Sequence, residues 1–268
     1  MSRIEQAFKT ARDENRAVFI PYITAGDPSL KRTAEIIDAL ERSGADIIEL
    51  GVPFSDPIAD GPTNQKAADR ALASGTTLRG ILDLVADLRT RSEIPIVLFT
   101  YANPVLQFGL EAFGSAAAAS GIDGVLFTDV PTEELPRFSP SLASAKIDPI
   151  LLVTPTSDKA RIKAAGKAGN GFLYLVSRTG VTGARRQLNP ELKSLIAQAR
   201  KASKLPVAVG FGISDVDQVQ QVARWADGVV VGSAIVNQVA SIGDSDELQE
   251  AIETFVRPLA QACRTRDS

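Results

Sequence analysis

The chain has 268 residues, 29 basic and 32 acidic, a formal net charge of −3, one cysteine and no histidine. That balance argues against a nucleic-acid binder that relies on a basic face, and no apolar run approaches the roughly 18 residues of a membrane span. Without histidine there is no Ser-His-Asp triad, no Cys-His pair and no imidazole metal ligand, so any acid or base is Asp, Glu, Tyr, Lys or Cys. Cys263 has no partner for an internal disulfide, which fits a reducing cytosol and predicts a cytoplasmic protein with an inert thiol.

The chain opens on MSRIEQAFKTARDENR, a charged amphipathic pattern that predicts a helix over 2–15 rather than a signal peptide. Short apolar runs follow: Val18-Phe19-Ile20, Ile47-Ile48, Ile96 to Phe99, Val125 to Phe127, Ile150 to Val153, Phe172 to Val176, Val207 to Val209 and Val229 to Val231. Runs this short and continuous suit strands covered on both faces. Helical spacing separates them, as in Leu78, Ile81, Leu82, Val85 and Leu88, or Val216, Val219, Val222 and Ala226. Asp27-Pro28 and Asn189-Pro190 each read as a cap followed by a first-turn proline. Ser214 with Asp217 reads as a capping pair. Glu247–Cys263 is predicted as the final outer helix.

Eight strands alternating with helices predict a (β/α)8 barrel, expected to form a single domain over 1–268. The doubly wound open sheet is the rival architecture. The helix over 2–15 is expected to close the barrel's bottom, and the long gap after the second strand to hold an extra helix.

Barrel sites lie at the C-terminal ends of the strands. There the segment DIIELGVPFSDPIADGPTNQ places Glu49 among apolar strand residues and Asp60 in the following loop. A charge in an apolar strand is costly unless paired or used. Two carboxyls in unlike surroundings can be tuned apart, one as proton donor and one as ionised acceptor. Tyr101, Asn103, Asp129 and Thr154 also follow strand ends, where capping and turn roles are the simpler reading. Gly210-Phe211-Gly212 and Gly232-Ser233 each join a strand to a helix, the place where barrels hold phosphate on backbone amides. The glycine-rich segment from Arg178 to Gln187 has the composition of a lid.

Six motifs, PYITAGDPS at 21–29, ELGVPFSDPIADGP at 49–62, FTDVP at 127–131, YLVSRTGVTG at 174–183, GFGIS at 210–214 and VGSAIV at 231–236, together resemble the tryptophan synthase α subunit family. The resemblance implies a lyase that cleaves indole-3-glycerol phosphate to indole and glyceraldehyde 3-phosphate in tryptophan biosynthesis. It implies Glu49 as the acid–base residue and Asp60 as acceptor for the ring N–H. By the same resemblance Tyr22, Phe99 and Leu126 line the indole pocket and Tyr174 the wall beside the substrate. Gly183, Phe211, Gly212, Gly232 and Ser233 hold the phosphate, and Thr182 meets Asp60 on lid closure. Asn64 and Phe172 depart from the family pattern, where Ile and Tyr are common, and are expected to alter the indole pocket. The implied partner is a β subunit carrying pyridoxal phosphate, in an α2β2 assembly, with no cofactor on this chain and Pro53 and Asp56 in the contacting loop. A phosphosugar isomerase of the same barrel class, or a silent barrel that only activates the β subunit, are the competing readings.

Overall fold

Eight apolar runs become eight parallel strands because each is covered twice, by helices outside and by the opposite strands inside. In the computed structural model, which describes residues 1–177, 191–210 and 212–264, these are β1 (Val18–Thr24), β2 (Ile48–Gly51), β3 (Ile96–Thr100), β4 (Gly124–Phe127), β5 (Asp148–Val153), β6 (Leu173–Val176), β7 (Val207–Gly210) and β8 (Gly228–Val231). They pair in chain order, and β8 pairs back onto β1 from Val18↔Gly228 to Pro21↔Val231, closing the barrel. Strand alternation then sorts the side chains. Ile48, Leu50, Leu98, Val125 and Val229 face the helices, whereas Val18, Ile20, Ile47, Val97, Phe99, Leu126, Phe172, Ala208 and Val230 fill the interior.

α1 (Arg3–Asp13) is started by Ser2, whose hydroxyl accepts from the Glu5 amide while the Glu5 carboxylate accepts from the Ser2 amide. Its buried face, Ile4, Phe8 and Ala11, packs among the interior residues, with the Phe8 and Phe172 rings 5.5 Å apart. The expected plug is therefore present at the end where the strands begin. Asp123 strengthens the same end, accepting from the Ile96 amide at 2.8 Å, from Arg89 at 2.8 Å and from Arg3 at 3.2 Å. Between β2 and β3 lie α3 (Pro62–Ala73) and α4 (Leu78–Leu88), the expected extra helix among them. The connection after β3 is also double, α5 (Ala102–Phe108) and α6 (Leu110–Ser120), because Gly109 at φ +89° ends one helix and turns into the next. After β8 come α11 (Ser233–Ile242) and α12 (Leu248–Ala262), the latter bounded by Glu247 and Cys263 as expected.

Two start signals resolve differently. Asp27 does not cap α2 (Leu30–Arg42): Ser29 does, accepting from the Arg32 amide at 3.2 Å, and the Asp27-Pro28 peptide bond before it is cis. Asp27 is instead buried in a two-pronged bond with Arg70 of α3, at 2.8 and 2.7 Å. Likewise α10 (Val216–Ala223) is capped by Asp215 and not Ser214, because the Asp215 carboxylate reaches the Gln218 amide at 2.9 Å. Ser214 sits one residue further out and donates through its amide to the Gln218 side chain. Val216 is consequently exposed, not part of the helix's buried face, and Ala226 lies beyond the helix. Asn189 and Pro190 lie outside the described residues.

Candidate active site

β2 is four residues long, and its outward positions, Ile48 and Leu50, anchor it against the helices. Glu49 between them must point into the barrel. Its side chain is 0% exposed, and neither carboxyl oxygen has a hydrogen-bond partner. Loss of water around the carboxyl pushes its pKa up to about 8, so Glu49 holds its proton at neutral pH.

Two phenols crowd this carboxyl. Tyr22 of β1 is the cross-strand partner of Glu49, and its ring meets Phe99 edge-on at 5.2 Å. Tyr174 of β6 is buried on the interior face. Burial, and then the negative charges of Asp60 and Glu49, hold both hydroxyls well above the ordinary tyrosine range. Each ring depends on a glycine opposite. A side chain at Gly51, the last residue of β2, would overlap the Tyr22 phenol, and one at Gly210, the last of β7, would overlap that of Tyr174. Gly210 thus seats an aromatic ring, a function the strand-to-helix motif does not advertise.

Asp60 is 7% exposed, in the loop between β2 and α3. Its carboxylate accepts from the Tyr101 hydroxyl at 2.7 Å, and that hydroxyl accepts from the Ala59 amide at 3.0 Å. Burial raises the Asp60 pKa, while the Tyr101 hydroxyl and the Asn64 amide oppose the rise by favouring the ionised form. Gln65 clips the loop by donating to the Asp60 carbonyl at 2.9 Å. Tyr101 is a strand-end residue that sequence reasoning named but gave no role. A hydroxyl-bearing aromatic at a strand end was its only signal, and nothing local ties it to a residue 41 positions earlier.

The structure brings Glu49, Asp60, Tyr22, Phe99, Leu126 and Tyr174 to one interior, and Glu49 and Asp60 both act electrostatically on the same two phenols. Gly232 lies against the Tyr22 ring, 3.4 Å from where its side chain would begin, and Ser233 opens α11 just beyond. Gly212 adopts φ +83°, a conformation that favours glycine. Thr182, Gly183 and Phe211 lie outside the described residues. Phe172 packs on Phe8 at the barrel's opposite end, so its departure from the family pattern does not reach the pocket. Pro53 is buried at the start of the loop. Asp56 is exposed, and so is Ile58 at 74%. The Asp129 carboxylate accepts from the Ala102 amide at 2.8 Å and Thr154 is held in a turn with Ser157, both simple local roles. Among the described residues no group of three or more Asp, Glu or Cys is arranged to hold a metal, and no helix is long and apolar enough to cross a membrane.

Reactive groups of closed parallel barrels gather at the strand C-termini, and a buried carboxyl without a partner at that rim defines this chain as a (β/α)8-barrel enzyme. Comparison with known proteins makes the class specific. Residues 8–264 match the family described as Tryptophan synthase alpha chain. The tryptophan synthase alpha chain of Geobacter sulfurreducens is 50% identical over 98% of this chain and 99% of its own length, and that of Solibacter usitatus 46% over 99% and 100%. Among solved structures, tryptophan synthase subunit alpha from Legionella pneumophila superposes with a TM-score of 0.90 at 35% identity, covering 98% of both chains. Mycobacterium tuberculosis tryptophan synthase superposes with 0.89 at 37%, covering 98% and 99%. The chain belongs to the tryptophan synthase alpha chain family. It is a lyase of tryptophan biosynthesis that cleaves indole-3-glycerol phosphate, in a family whose pyridoxal phosphate sits on the β subunit with which the α chain forms a complex. The isomerase reading is thereby set aside.

Proposed function

We propose that Glu49 carries both protons of the cleavage and that Asp60 steadies the ring nitrogen. Indole is a poor leaving group until its C3 is protonated. Glu49 donates that proton, giving an indolenine with positive charge at nitrogen, and the Asp60 carboxylate accepts the ring N–H as the charge develops. The resulting Glu49 carboxylate then removes the glycerol hydroxyl proton. As the aldehyde forms, the C–C bond electrons return to the ring and indole leaves. Glu49 ends protonated as it began, so the cycle needs no outside proton. The observation that carries this reading is a carboxyl wholly buried, without a partner, whose pKa is pushed up to about 8 while a second carboxyl nearby is held by a phenol and an amide. Unlike environments are what separate an acid from an ionised acceptor.

By family resemblance the phosphate is assigned to Gly183, Phe211, Gly212, Gly232 and Ser233, and Thr182 to meeting Asp60. Helix-start amides and a glycine turn favour an anion there. The exposed part of the loop after β2, Asp56 and Ile58, is assigned to the β subunit, and direct passage of apolar indole between subunits follows as its use. One domain over 1–268 and a cytoplasmic setting complete the proposal. Indole release is the test, measured with and without β subunit. Glu49→Gln is expected to lose about 10²–10⁴-fold in turnover while binding glycerol phosphate as the unaltered chain does. Unchanged turnover removes Glu49 from the mechanism. Substrate binding by the unaltered chain with no indole under either condition favours the silent-barrel reading.

A further inference from the structure

Glu49 has no donor in the structure, and a carboxyl that must pass through its ionised form inside an apolar barrel needs one. The protonated acid tolerates isolation far better than the carboxylate it becomes. The barrel interior beside it contains few groups able to help. Asp60, from the loop after β2, brings negative charge. Tyr101, at the end of β3, is already committed to Asp60 and to the Ala59 amide. Tyr174, from β6, faces the same space. Among the described residues, Tyr22 of β1 is the phenol whose strand position pairs directly with that of Glu49.

The position of Tyr22 is set by three contacts. Its Cα pairs with that of Glu49 across the β1–β2 ladder, and both side chains point inward. Its ring is braced edge-on by Phe99. Its hydroxyl occupies the space where a side chain of Gly51 would stand, and Gly51 is the next inward position of β2 after Glu49. Same-face neighbours on a strand are about 7 Å apart at Cβ, within reach of a long side chain. The hydroxyl's bond to the Thr24 hydroxyl is 3.3 Å, long against the roughly 2.7–2.8 Å of a good O–H···O contact. A loosely held, buried hydroxyl therefore sits one inward position along β2 from a buried acid with no partner.

We propose that Tyr22 is a positioning residue for the cleavage: its hydroxyl exchanges the Thr24 contact for Glu49 when Glu49 gives up its proton, orienting and stabilising the carboxylate. This rests on Glu49 being the acid. Because a donor to the charged form lowers a carboxyl's pKa, removing it raises that pKa and weakens the acid's conjugate state. Burial and the nearby negative charges keep the phenol itself protonated throughout the working range.

The test is indole release by the full chain with its β subunit, followed across pH for the unaltered protein, Tyr22→Phe, Glu49→Gln and a chain with 3-fluorotyrosine at position 22. Tyr22→Phe is expected to lower kcat about 10- to 100-fold, the scale of one hydrogen bond to a charged group, with KM changed less than about 2-fold. Its basic limb in kcat/KM should move up by about one pH unit. Fluorotyrosine, a stronger donor, should move that limb down. A Tyr22→Phe enzyme with unchanged kcat and limb, or with its whole loss in KM, overturns the inference. If Tyr22→Phe does not fold by circular dichroism, an unmoved limb with fluorotyrosine overturns it instead. Glu49→Gln separates the two levels. Inactive Glu49→Gln beside a normal Tyr22→Phe removes only the role of Tyr22, whereas active Glu49→Gln removes the acid assignment and this inference with it.

Discussion

A buried carboxyl without partners is costly to the barrel, and its retention is an argument from that cost. Folded Glu49 keeps its proton to about pH 8, whereas the unfolded chain releases it near 4.5. The native state thus binds the extra proton between those values. Unfolding becomes easier as pH rises through the window, and the favourable share is complete only below it. Glu49→Gln, which has no proton to lose, should melt at a higher temperature than the unaltered chain, by a margin that widens from pH 5 to pH 8. Thermal unfolding by circular dichroism at several pH values measures this, and a margin that stays flat contradicts a buried acid. The same pKa places a basic limb near pH 8 on kcat/KM, because activity needs the protonated form. Asp60 is the counterpart. The Tyr101 hydroxyl and the Asn64 amide offset part of its burial, so the two carboxyls differ in hydrogen bonding more than in depth.

Among the elements, α1 and the loop after β2 divide the labour between the barrel's two ends. α1 inserts Ile4 and Phe8 where the strands begin, far along each strand from Glu49 and Asp60. Ends of this kind serve stability, while the opposite rim carries chemistry. Phe8→Ala removes a ring packed on Phe172 and leaves a cavity, at a cost of about 3–5 kcal/mol in urea unfolding. Turnover per folded molecule should remain close to that of the unaltered chain. A large loss of kcat in fully folded Phe8→Ala would show that the plug shapes the mouth after all. The glycines at the ends of β2 and β7 act as elements of shape, since each vacates the volume that a tyrosine from another strand fills.

At the scale of the whole molecule, the site faces the same direction as the exposed loop segment that carries Asp56 and Ile58. Ile58, 74% exposed and two residues after Asp56, stands in the loop proposed to meet the β subunit. Ile58→Asp should therefore weaken association with the β subunit and the stimulation of cleavage that comes with it. Cleavage by the chain alone should be unchanged, because Ile58 is exposed and lies outside the barrel interior. Indole release titrated with β subunit reads both quantities, and stimulation at the normal β concentration in Ile58→Asp assigns the contact elsewhere.

Much of this was readable from local pattern. Burial on both faces leaves continuous apolar runs, so eight strands and their helices stand out. A glutamate inside such a run identifies itself by its cost, and the absence of histidine narrows the chemistry to carboxyls and phenols. What local pattern misplaced has a common character. Asp27 resembled a cap but pairs with Arg70, 43 residues away. Gly210, read only as part of a phosphate turn, makes room for Tyr174, and Phe172 resembled a pocket residue but meets Phe8 at the far end. Tyr101 gave no sign of its bond to Asp60. Hydrophobic periodicity and turn chemistry act between near neighbours along the chain and are therefore written in order. The assignments that only the closed barrel decided depend on which side chains meet across its interior, and those meetings are fixed by strand register and by the shared volume each ring or charge must fill.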